Sequence, residues 1–600
     1  MDTRREATVW IGGEAGEGIA SAGDMFMRTA ARLGLGAFAH NSYQSVIRGG
    51  EVLLQIRAGP HPVPSQGGNW DFLIALNQSV LDLNLRSARP AAGALFNVDT
   101  IKAPASTTVA MLGIPVGELT GDLPKNPVQQ NTVLLGALMY LLKLAWDVFE
   151  GAIRIQFGKR KAELADLNVT LAHRGWEFAE KNFTAPRHIA LAGDGKGRIV
   201  ITGNQAVGLG AVAGGCKFYS AYPMTPASSI MHWLAPRASR YGMLMKQAED
   251  ELAAINMAIG AGYAGIRAMV GTSGGGFALM TEAIGMAGMI EAPVVAVLSQ
   301  RGGPSTGLAT KTEQGDLFQA LGASQGEYPK AILAALDPVD TYYVTIEAHN
   351  LAEKYQMPVI LMLDLYLSER NVVVDPESIN PRVPVERGEV VREVEGEYLR
   401  YRDTPSGVSP RTLPGTPGGM HIAPSDAHNE QGVLVSDWYT NPSMRTKMMQ
   451  KRMRKMEGVL HDTEERGIVC EGPEESELTI VGWGSTFHIL EEARRALTHE
   501  GHPVRLLQFR TLWPFPAQKA LPLLQAAKRI VCVENNYGGL LARLIRQETG
   551  FSIPLAVRKF DGEPFSIDPL TQALKACLSP DAPPVQTLVS SELDLPVTFR

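Results

Sequence analysis

The sequence predicts an α/β fold made of several doubly wound domains, and three observations lead to this prediction. The chain has 600 residues, too many for one hydrophobic core, and at roughly 100–200 residues per domain this corresponds to about three to five domains. Continuous apolar runs such as 292–298 and 357–364 are typical of strands buried in parallel sheets. Polar turns marked by Gly or Pro follow such runs, as expected where an α/β domain presents a site at its strand ends.

Shifts in composition divide the chain into four regions. The first begins with a short β-like run at 7–11, a glycine-rich turn and a helical pattern, which together form the opening of a Rossmann-like unit. The second and fourth regions alternate apolar runs with helical segments, whereas the third is rich in Pro, Arg, Glu and Asp. We therefore expect a Rossmann-like domain at 1–190, an α/β domain at 195–370, a connecting segment at 371–475 and an α/β domain at 476–600.

Composition and charge exclude several classes of protein. The formal net charge is −6, so no nucleic-acid partner is expected, and the basic run at 445–455 is interpreted as a solvated, Met-faced helix. The four cysteines, Cys216, Cys470, Cys532 and Cys577, lie far apart, which argues against disulfides and against an iron–sulfur cluster held by this chain. The start of the chain lacks the apolar core of a signal peptide, and no apolar run could span a membrane. We therefore expect a cytoplasmic protein without a membrane partner.

Three side chains of the second region stand where a site for an anionic carbonyl compound could form. Thr225 lies between Pro223 and Pro226, which restrict the backbone and preorganise the hydroxyl, although a plain braced turn has the same pattern. Arg301 follows a strand-like run and could clamp a carboxylate in bidentate fashion, or it could be a surface residue in a glycine-rich loop. Glu251 begins an apolar, Ala-rich helix and could face a dry pocket, or it could be an acid favoured by the helix dipole.

Four motifs around these residues, taken together, resemble those of one enzyme family. They are Tyr222-Pro-Met-Thr-Pro226, Glu249-Asp-Glu251, Ser273-Gly-Gly-Gly276 and Pro304-Ser-Thr-Gly307. This combination resembles the α subunit of the 2-oxoacid:ferredoxin oxidoreductases, which are thiamine-diphosphate enzymes that decarboxylate a 2-oxoacid onto coenzyme A. The resemblance covers nearly the whole chain. The first region is similar to the family's γ domain, the second to its thiamine-pyrimidine domain, and the fourth to a transketolase carboxy-terminal-type domain.

The resemblance implies a thiamine diphosphate site in the second region. A carboxyl group bonded to the pyrimidine N1′ promotes the imino tautomer, which removes the proton from C2 of the thiazolium. Glu251 stands at the position that matches the family's pyrimidine glutamate, so we expect it to be the catalytic carboxyl group. Tyr222 and Pro223 are expected beside the cofactor. Ser273 and Gly274 are expected to approach the pyrimidine by their backbone, since glycine permits close contact.

The resemblance also implies a substrate site. Thr225 is expected to face both the thiazolium and the bound oxoacid, and Arg301 to hold the carboxylate beside the keto group. The loop 301–316 is most similar to the 2-oxoglutarate branch, whose second carboxylate needs a second cation, for which Lys311 and Arg48 are candidates unless a partner supplies it. The expected reaction is oxidation of 2-oxoglutarate to succinyl-CoA, reversible in principle, with electrons passed to ferredoxin. The same chemistry on pyruvate or a branched 2-oxoacid is the alternative.

One half of a thiamine site is missing from the sequence. The diphosphate and its Mg²⁺ need Gly-Asp-Gly followed at a fixed distance by Asn. Gly193-Asp-Gly195 is present, but Asn204 follows too soon, so the triplet is interpreted as an interdomain turn and no metal ligand is assigned. In the family, a β subunit supplies these ligands together with a [4Fe-4S] cluster. We therefore expect a β-subunit partner, an α₂β₂ assembly, and thiamine diphosphate at the subunit interface.

The glycine-rich turn of the first region departs from the dinucleotide-binding fingerprint. No convincing acidic residue ends a second strand, as nicotinamide dinucleotides would require. The turn is interpreted either as close strand–helix packing or as a contact to the phosphates of coenzyme A, with Gly13 and Arg48 as candidates. Arg48 lies in the run 42–50, which is similar to the family's γ-domain signature. A non-catalytic nucleotide- or flavin-binding electron carrier is the alternative from another class.

Overall fold

The computed structural model describes residues 4–45, 50–123, 127–158, 162–184, 189, 191–436 and 439–590. Its helices pack on sheets that contain adjacent parallel strands, so the predicted α/β fold class is confirmed. One hydrophobic cluster joins the second and last parts of the chain, because it contains Ile284, Val481 and Leu541. The domain boundaries given above remain predictions.

The first part of the chain builds most of the first sheet. Its strands are β1 (Ala7–Glu14), β2 (Gly36–Ser42), β3 (Glu51–Gly59), β4 (Trp70–Ala75), β5 (Ala88–Asn97) and β6 (Ala110–Ile114). Its helices are α1 (Ile19–Arg32), α2 (Gln78–Asn84), α3 (Val116–Thr120), α4 (Pro127–Leu141), α5 (Trp146–Gly158) and α6 (Ala162–Asn182). Strand β1 pairs in parallel with β4 and antiparallel with β3, so this sheet is mixed.

The second part alternates strands and helices, as predicted. Its strands are β7 (Ile199–Ile201), β8 (Phe218–Ala221), β9 (Leu244–Gln247), β10 (Ala268–Thr272), β11 (Val294–Gln300), β12 (Ala331–Ala334), β13 (Pro358–Asp364) and β14 (Asn371–Val374). Its helices are α7 (Gly203–Ala213), α8 (Ser228–Leu234), α9 (Glu251–Tyr263), α10 (Gly274–Met289), α11 (Leu317–Leu321), α12 (Pro338–Tyr355) and α13 (Leu365–Glu369).

The remaining part contains the connecting segment and a third large sheet. The connecting segment holds β15 (Val390–Val391), β16 (Arg411–Thr412) and helix α14 (Pro442–Glu464). The strands after it are β17 (Ile468–Glu471), β18 (Leu478–Trp483), β19 (Val504–Phe509), β20 (Thr511–Trp513), β21 (Ile530–Glu534), β22 (Leu555–Arg558) and β23 (Val585–Thr587). The helices after it are α15 (Phe487–His499), α16 (Ala517–Gln525), α17 (Leu540–Thr549) and α18 (Ile567–Ala576).

The strand order places three of the predicted motifs side by side. The second sheet has the order β20-β12-β13-β11-β10-β8-β9, and β10 pairs in parallel with both β8 and β11. The carboxyl ends of these three strands therefore lie at one edge of the sheet. The Tyr222 turn, the Ser273 turn and the Arg301 loop leave from these ends.

Short strands link the first and second parts of the chain more closely than the sequence suggests. The run at 199–201 was expected in the second region, but β7 pairs with β14, and β14 pairs with β2 of the first sheet. The first sheet thus has the order β6-β5-β4-β1-β3-β2-β14-β7. The chain enters and leaves the second sheet through the edge of the first.

The glycine-rich turn begins later than the sequence pattern suggests. Gly12 and Gly13 belong to β1, where they are the register partners of two residues of β3. Gly16 and Gly18 form the turn itself, and their φ angles of 103° and 85° lie in the region that favours glycine. A β-carbon on Gly13 would collide with the side chains of Glu17 and Leu76, so close packing of β1 against the turns that follow β1 and β4 explains this glycine.

The interpretation of the basic run as a solvated helix is wrong. The run lies on α14, where Lys451, Arg452 and Lys455 are buried together with Met448. Both lysines bond to the carboxylate of Glu291, at 2.6 Å from Lys451 Nζ to Oε1 and 2.5 Å from Lys455 Nζ to Oε2. The helix is therefore held against the second sheet by buried ion pairs.

Three further predictions were the absence of disulfides, of a membrane span and of an iron–sulfur cluster held by this chain. Cys216, Cys532 and Cys577 are buried and Cys470 is exposed, and all four are free thiols. Across the part of the chain that the structure describes, no helix is long and apolar enough to cross a membrane. Over the same residues, no group of three or more His, Cys, Asp and Glu side chains could hold a metal ion.

Candidate active site

Glu251 lies in the first turn of α9 and is buried. The preceding residue, Asp250, is the N-cap, and its Oδ1 accepts a hydrogen bond of 2.7 Å from the Ala253 backbone N–H. Glu251 is 4% exposed, and its Oε1 has no hydrogen-bond partner among the described residues. Because Asp250 already caps the helix, capping does not explain why a second acid is buried here. A buried, unpaired carboxyl oxygen calls for a partner that this chain does not supply.

The first turn of α10 faces this carboxyl group. Ser273 is the N-cap residue of α10, but its side chain makes no capping bond, and its buried Oγ has no partner within the described residues. A β-carbon on Gly276 would lie 2.5 Å from Glu251 Oε1, so only glycine leaves room for the carboxyl group. Glu251 Oε1 and Ser273 Oγ are thus two buried polar atoms without a partner among the described residues.

The Thr225 turn is fixed by two neighbours. Asn204, at the start of α7, donates from Nδ2 to the Pro226 carbonyl oxygen at 2.8 Å. Arg301 donates from Nη1 to the Thr225 carbonyl oxygen at 2.9 Å. Tyr222 and Pro223 precede this turn and are exposed. The turn therefore presents Thr225 between the end of β8 and the Arg301 loop.

Contacts around Gly275 bring the three turns together. A β-carbon on Gly275 would lie 3.8 Å from Met224 Cε and 4.0 Å from the Ser305 carbonyl oxygen. Met224 belongs to the Thr225 turn, and Ser305 to the loop that begins at Arg301. The structure thus brings together Thr225, Glu251, Ser273, Gly274 and Arg301, as the sequence predicts for one site.

The loop 301–316 carries three charged groups that burial perturbs. Burial lowers the pKa of Arg301, and the charge of Asp316 opposes this change. Burial raises the pKa of Asp316 to about 6, although Arg301 works against it. Burial and the charge of Asp316 together raise the pKa of Glu313 to about 7. Perturbed groups of this kind are common in functional sites.

Lys311, a candidate for the second substrate cation, has partners within the chain. Its Nζ lies 2.5 Å from Glu563 Oε1 and 2.6 Å from Ser42 Oγ. The Ser42 hydroxyl also donates to Glu563 Oε1, at 2.9 Å. The loop is thereby fastened to the first part of the chain through Ser42 and to the last part through Glu563. Lys311 is not a free cation in this arrangement.

Several site residues were missed by sequence reasoning. Asp316, Glu313, Asn204 and Glu563 all contact the predicted motifs, but each occurs in a polar stretch that resembles ordinary surface. His40, in β2, is buried, and burial lowers its pKa to about 4, with Glu563 acting in the opposite direction. The position of Asp316 at the end of the loop 301–316, which resembles the 2-oxoglutarate branch, was the one signal that could have drawn attention to it.

The coenzyme A candidates lie on the first part of the chain. Gly13 packs against the side chains of Glu17 and Leu76, so its lack of a side chain already has a structural reason. Arg48 lies outside the described residues. Gly13 is not brought to the Thr225 and Glu251 site by a contact within the described chain.

A cavity of about 700 Å³ lies elsewhere, between the first, second and last parts of the chain. Charged groups in its wall are largely paired with each other. Arg57 bonds to Glu6 and Glu492, and His488 bonds to Asp337. Its walls contain none of the predicted site residues, so size alone does not make it the active site.

Family models match three stretches of the chain. The model described as pyruvate ferredoxin/flavodoxin oxidoreductase matches residues 8–178. The model described as pyruvate flavodoxin/ferredoxin oxidoreductase, thiamine diP-binding, matches 209–449, and the transketolase C-terminal domain matches 469–585.

Two curated relatives and one solved structure align with most of the chain. The 2-oxoacid:ferredoxin oxidoreductase 2 subunit alpha of Aeropyrum pernix is 30% identical over 95% of this chain and 97% of its own. The 2-oxoglutarate oxidoreductase subunit KorA of Mycobacterium tuberculosis is 31% identical over 94% and 91%. The 2-oxoglutarate:ferredoxin oxidoreductase of Magnetococcus marinus, solved with 2-oxoglutarate, coenzyme A and succinyl-CoA bound, is 33% identical with a TM-score of 0.89. That alignment covers 96% of this chain and 100% of the other.

The fold and the family models define an oxidoreductase subunit with a thiamine-diphosphate-binding domain. With full-length relatives at this identity, the chain belongs to the family of 2-oxoacid:ferredoxin oxidoreductase α subunits. It is an enzyme subunit of the class that acts on an oxo group with ferredoxin as acceptor, and it contains a thiamine-diphosphate-binding domain. This result replaces the alternative of a non-catalytic electron carrier.

Proposed function

We propose that the chain is the α subunit of a 2-oxoglutarate:ferredoxin oxidoreductase. The enzyme would convert 2-oxoglutarate and coenzyme A to succinyl-CoA and CO₂, with electrons passed to ferredoxin, reversibly in principle. One observation carries the proposal. Glu251 places an unpartnered, buried carboxyl oxygen beside the turns that hold Thr225 and Arg301. The names of the Mycobacterium and Magnetococcus proteins support 2-oxoglutarate as the substrate.

Glu251 and the first turn of α10 would hold the pyrimidine of thiamine diphosphate. When bound, this cofactor supplies a nucleophilic carbon at C2 of its thiazolium. Glu251 would share a proton with the pyrimidine N1′ through its free Oε1. Ser273 and Gly274 would contact the same ring by close approach, with Tyr222 and Pro223 beside it. Burial keeps water away from the Glu251 carboxyl group.

Arg301 and Thr225 would orient the substrate. Within the described residues the Arg301 guanidinium donates one hydrogen bond, to the Thr225 carbonyl oxygen, so its remaining N–H groups can bind a carboxylate. The Thr225 side chain stands in the turn that Asn204 and Arg301 fix, where its hydroxyl can bond the keto oxygen. A carboxylate held in one geometry is what loss of CO₂ requires.

The rest of the site would come from a β subunit. Exposed apolar side chains lie around Glu251, with Leu252 at 48%, Leu279 at 49% and Tyr222 at 40% exposure. Such a surface, beside a half-built site, fits a protein partner. That partner would bring Mg²⁺, the diphosphate ligands and a [4Fe-4S] cluster, in an α₂β₂ assembly in the cytoplasm. Coenzyme A would bind as co-substrate, with Gly13 and Arg48 as proposed contacts.

Pyruvate or a branched 2-oxoacid is the second candidate substrate. It is favoured by the pairing of Lys311 with Glu563, since this pair leaves Lys311 no free charge for a second carboxylate. If 2-oxoglutarate is the substrate, its second carboxylate replaces Glu563 as the partner of Lys311, or the β subunit supplies the second cation.

An anaerobic assay of the co-expressed α and β subunits tests the proposal. The mixture contains thiamine diphosphate, Mg²⁺, coenzyme A, ferredoxin and either 2-oxoglutarate or pyruvate. We expect ferredoxin reduction that needs both subunits, with a higher kcat/KM for 2-oxoglutarate. Activity of this chain alone would contradict the half-site, and preference for pyruvate would contradict the substrate while leaving the thiamine site intact.

A further inference from the structure

Asp316 closes the loop that begins at Arg301, and hydrogen bonds bring the two ends together. The backbone N–H of Asp316 donates to Gln300 Oε1 at 3.0 Å. Gln300 directly precedes Arg301 and is itself anchored, because its Nε2 donates to the Leu363 carbonyl oxygen at 3.1 Å. Asp316 and Arg301 are therefore held near each other although 15 positions separate them in the numbering.

The carboxyl group of Asp316 has no structural task within the described chain. Asp316 is the N-cap residue of α11, yet its side chain makes no capping hydrogen bond. Its Oδ2 is buried without a hydrogen-bond partner among the described residues. A β-carbon on Gly274 would lie 2.6 Å from this Oδ2, so the carboxyl group presses against the turn predicted to meet the cofactor.

The charged groups that surround Asp316 favour a change of protonation. Arg301 and Glu313 belong to its own loop, and Glu251 lies across the first turn of α10. Its other close neighbour, Gly274, does not titrate. Among the described residues Arg301 is thus the cation that offsets the Asp316 charge, and Arg301 is also the proposed ligand of the substrate carboxylate.

We propose that Asp316 is a positioning residue that neutralises Arg301 in the free enzyme and takes up one proton from solvent when a 2-oxoacid binds. The substrate carboxylate then replaces Asp316 as the counter-charge of Arg301. An ionised Asp316 would repel the arriving carboxylate, whereas a protonated Asp316 leaves Arg301 free to bind it. The inference rests on the proposed function, since it assumes that Arg301 binds the substrate.

Proton uptake links substrate affinity to pH. The pKa of Asp316 is already raised by burial to about 6, and loss of the Arg301 charge to the substrate raises it further. Above pH 6 the free enzyme must gain a proton to bind substrate, so KM for the 2-oxoacid should rise as pH rises. One coupled proton changes KM by up to about tenfold per pH unit.

The test measures KM and kcat of the αβ complex from pH 6 to pH 8.5, with wild type, Asp316→Asn and Glu313→Gln. The asparagine resembles the protonated acid in shape and charge. We expect Asp316→Asn to flatten the KM profile and to bind 2-oxoglutarate more tightly than wild type at pH 8, with kcat changed less. A merely structural role of Asp316 would instead raise KM at every pH.

Two results would overturn the inference. One is a wild-type KM that does not vary with pH, and the other is a profile that Glu313→Gln flattens and Asp316→Asn does not. Failure of the proposed function would look different, because no 2-oxoacid would then be oxidised at any pH. Asp316→Glu, which keeps the acid, should retain the pH dependence and serves as the matched variant.

Discussion

Two buried glutamates lie at opposite ends of α10 and have opposite environments. Glu251 faces the first turn of the helix, and its Oε1 has no partner among the described residues. Glu291 follows the last turn, and both of its oxygens bond to buried lysines, Lys451 and Lys455. The helix has 16 residues, so the two environments lie roughly 24 Å apart at about 1.5 Å per residue.

The difference distinguishes a carboxyl group that is fully paired within the chain from one whose buried oxygen has no partner among the described residues. Burial alone would raise the pKa of Glu291, but the charges of Lys451 and Lys455 more than offset it and hold the pKa well below its usual range. Glu291 is thus a fixed charge with every bond made inside the chain. Glu251 lacks such partners, which is costly unless another molecule completes the bond. The contrast predicts that Glu291 carries stability and Glu251 carries activity.

Glu291→Gln should have the largest effect, on the free energy of unfolding. The change leaves two lysines buried with no opposite charge, and breaking a buried pair in this way costs about 3–5 kcal/mol. Denaturant unfolding of the chain measures the loss. Glu282→Gln, at an exposed position of the same helix, is the matched control and should unfold like wild type. Equal stability of the two variants would remove the structural half of the contrast.

Arg301→Ala tests a cation whose hydrogen bond within the described residues goes to a backbone carbonyl oxygen. If Arg301 binds the substrate carboxylate, its loss leaves that charge unpaired and should cost about 2–5 kcal/mol in kcat/KM. Because every 2-oxoacid has the carboxylate beside the keto group, 2-oxoglutarate and pyruvate should suffer alike. Arg301→Lys keeps the charge without the bidentate geometry, so its kcat/KM should lie between those of wild type and Arg301→Ala. An effect on one substrate alone would assign Arg301 to a different carboxylate.

Glu251→Gln should leave the fold intact and slow the reaction. The amide can still form a hydrogen bond, but it cannot exchange a proton with the pyrimidine, and loss of general acid–base catalysis costs roughly 10²-fold or more. Turnover of the αβ complex and the unfolding midpoint of the chain are measured together. Glu249→Gln changes an exposed neighbour in the same motif and is expected to be active. Normal turnover of Glu251→Gln would show that another residue exchanges the proton with the pyrimidine.

Local patterns in the sequence predicted the fold class and the turns that meet at one edge of the second sheet. Apolar runs gave the buried strands, and turn residues placed Thr225, Ser273 and Arg301 after three of them. Adjacent parallel strands then necessarily bring such turns to one edge. This part was predictable because each signal lies within a few residues and the topology of α/β sheets does the rest.

Contacts between distant segments were not predictable. The Lys-rich pattern of α14 reads as a solvated helix until Glu291, 160 residues away from Lys451, is placed against it. The three-residue strand β7 gives no sign that it joins the first sheet through β14. Asp316 likewise resembles a helix cap, and only the structure shows that its side chain makes no capping bond. In each case the missing information is the partner, which a single sequence does not encode locally.

Lys311 combines features of Glu291 and Glu251. It has an ion-pair partner within the chain, as Glu291 has, but it lies in the loop 301–316, which is proposed to bind the substrate. Lys311→Met removes a partly buried ion pair with Glu563, which contributes about 1 kcal/mol to the free energy of unfolding, and a charge pair of the same strength with the substrate would correspond to roughly fivefold in kcat/KM. If Lys311 binds the second carboxylate of 2-oxoglutarate, the loss should appear with that substrate and spare pyruvate. If Lys311 only joins the three parts of the chain, kcat/KM should fall equally for both substrates.

Glu563→Gln sharpens the same test because it frees Lys311 without removing it. If Lys311 binds the second carboxylate, the variant should bind 2-oxoglutarate more tightly, since Glu563 no longer competes for the charge of Lys311. If Lys311 only stabilises the fold, Glu563→Gln should instead remove its ion-pair partner. The unfolding midpoint should then fall, and kcat/KM should decrease for both substrates. The double variant Lys311→Met with Glu563→Gln completes the cycle and isolates the coupling between the two side chains. Tighter binding of 2-oxoglutarate by Glu563→Gln, absent from the double variant, would show that the second cation comes from this chain rather than from its partner.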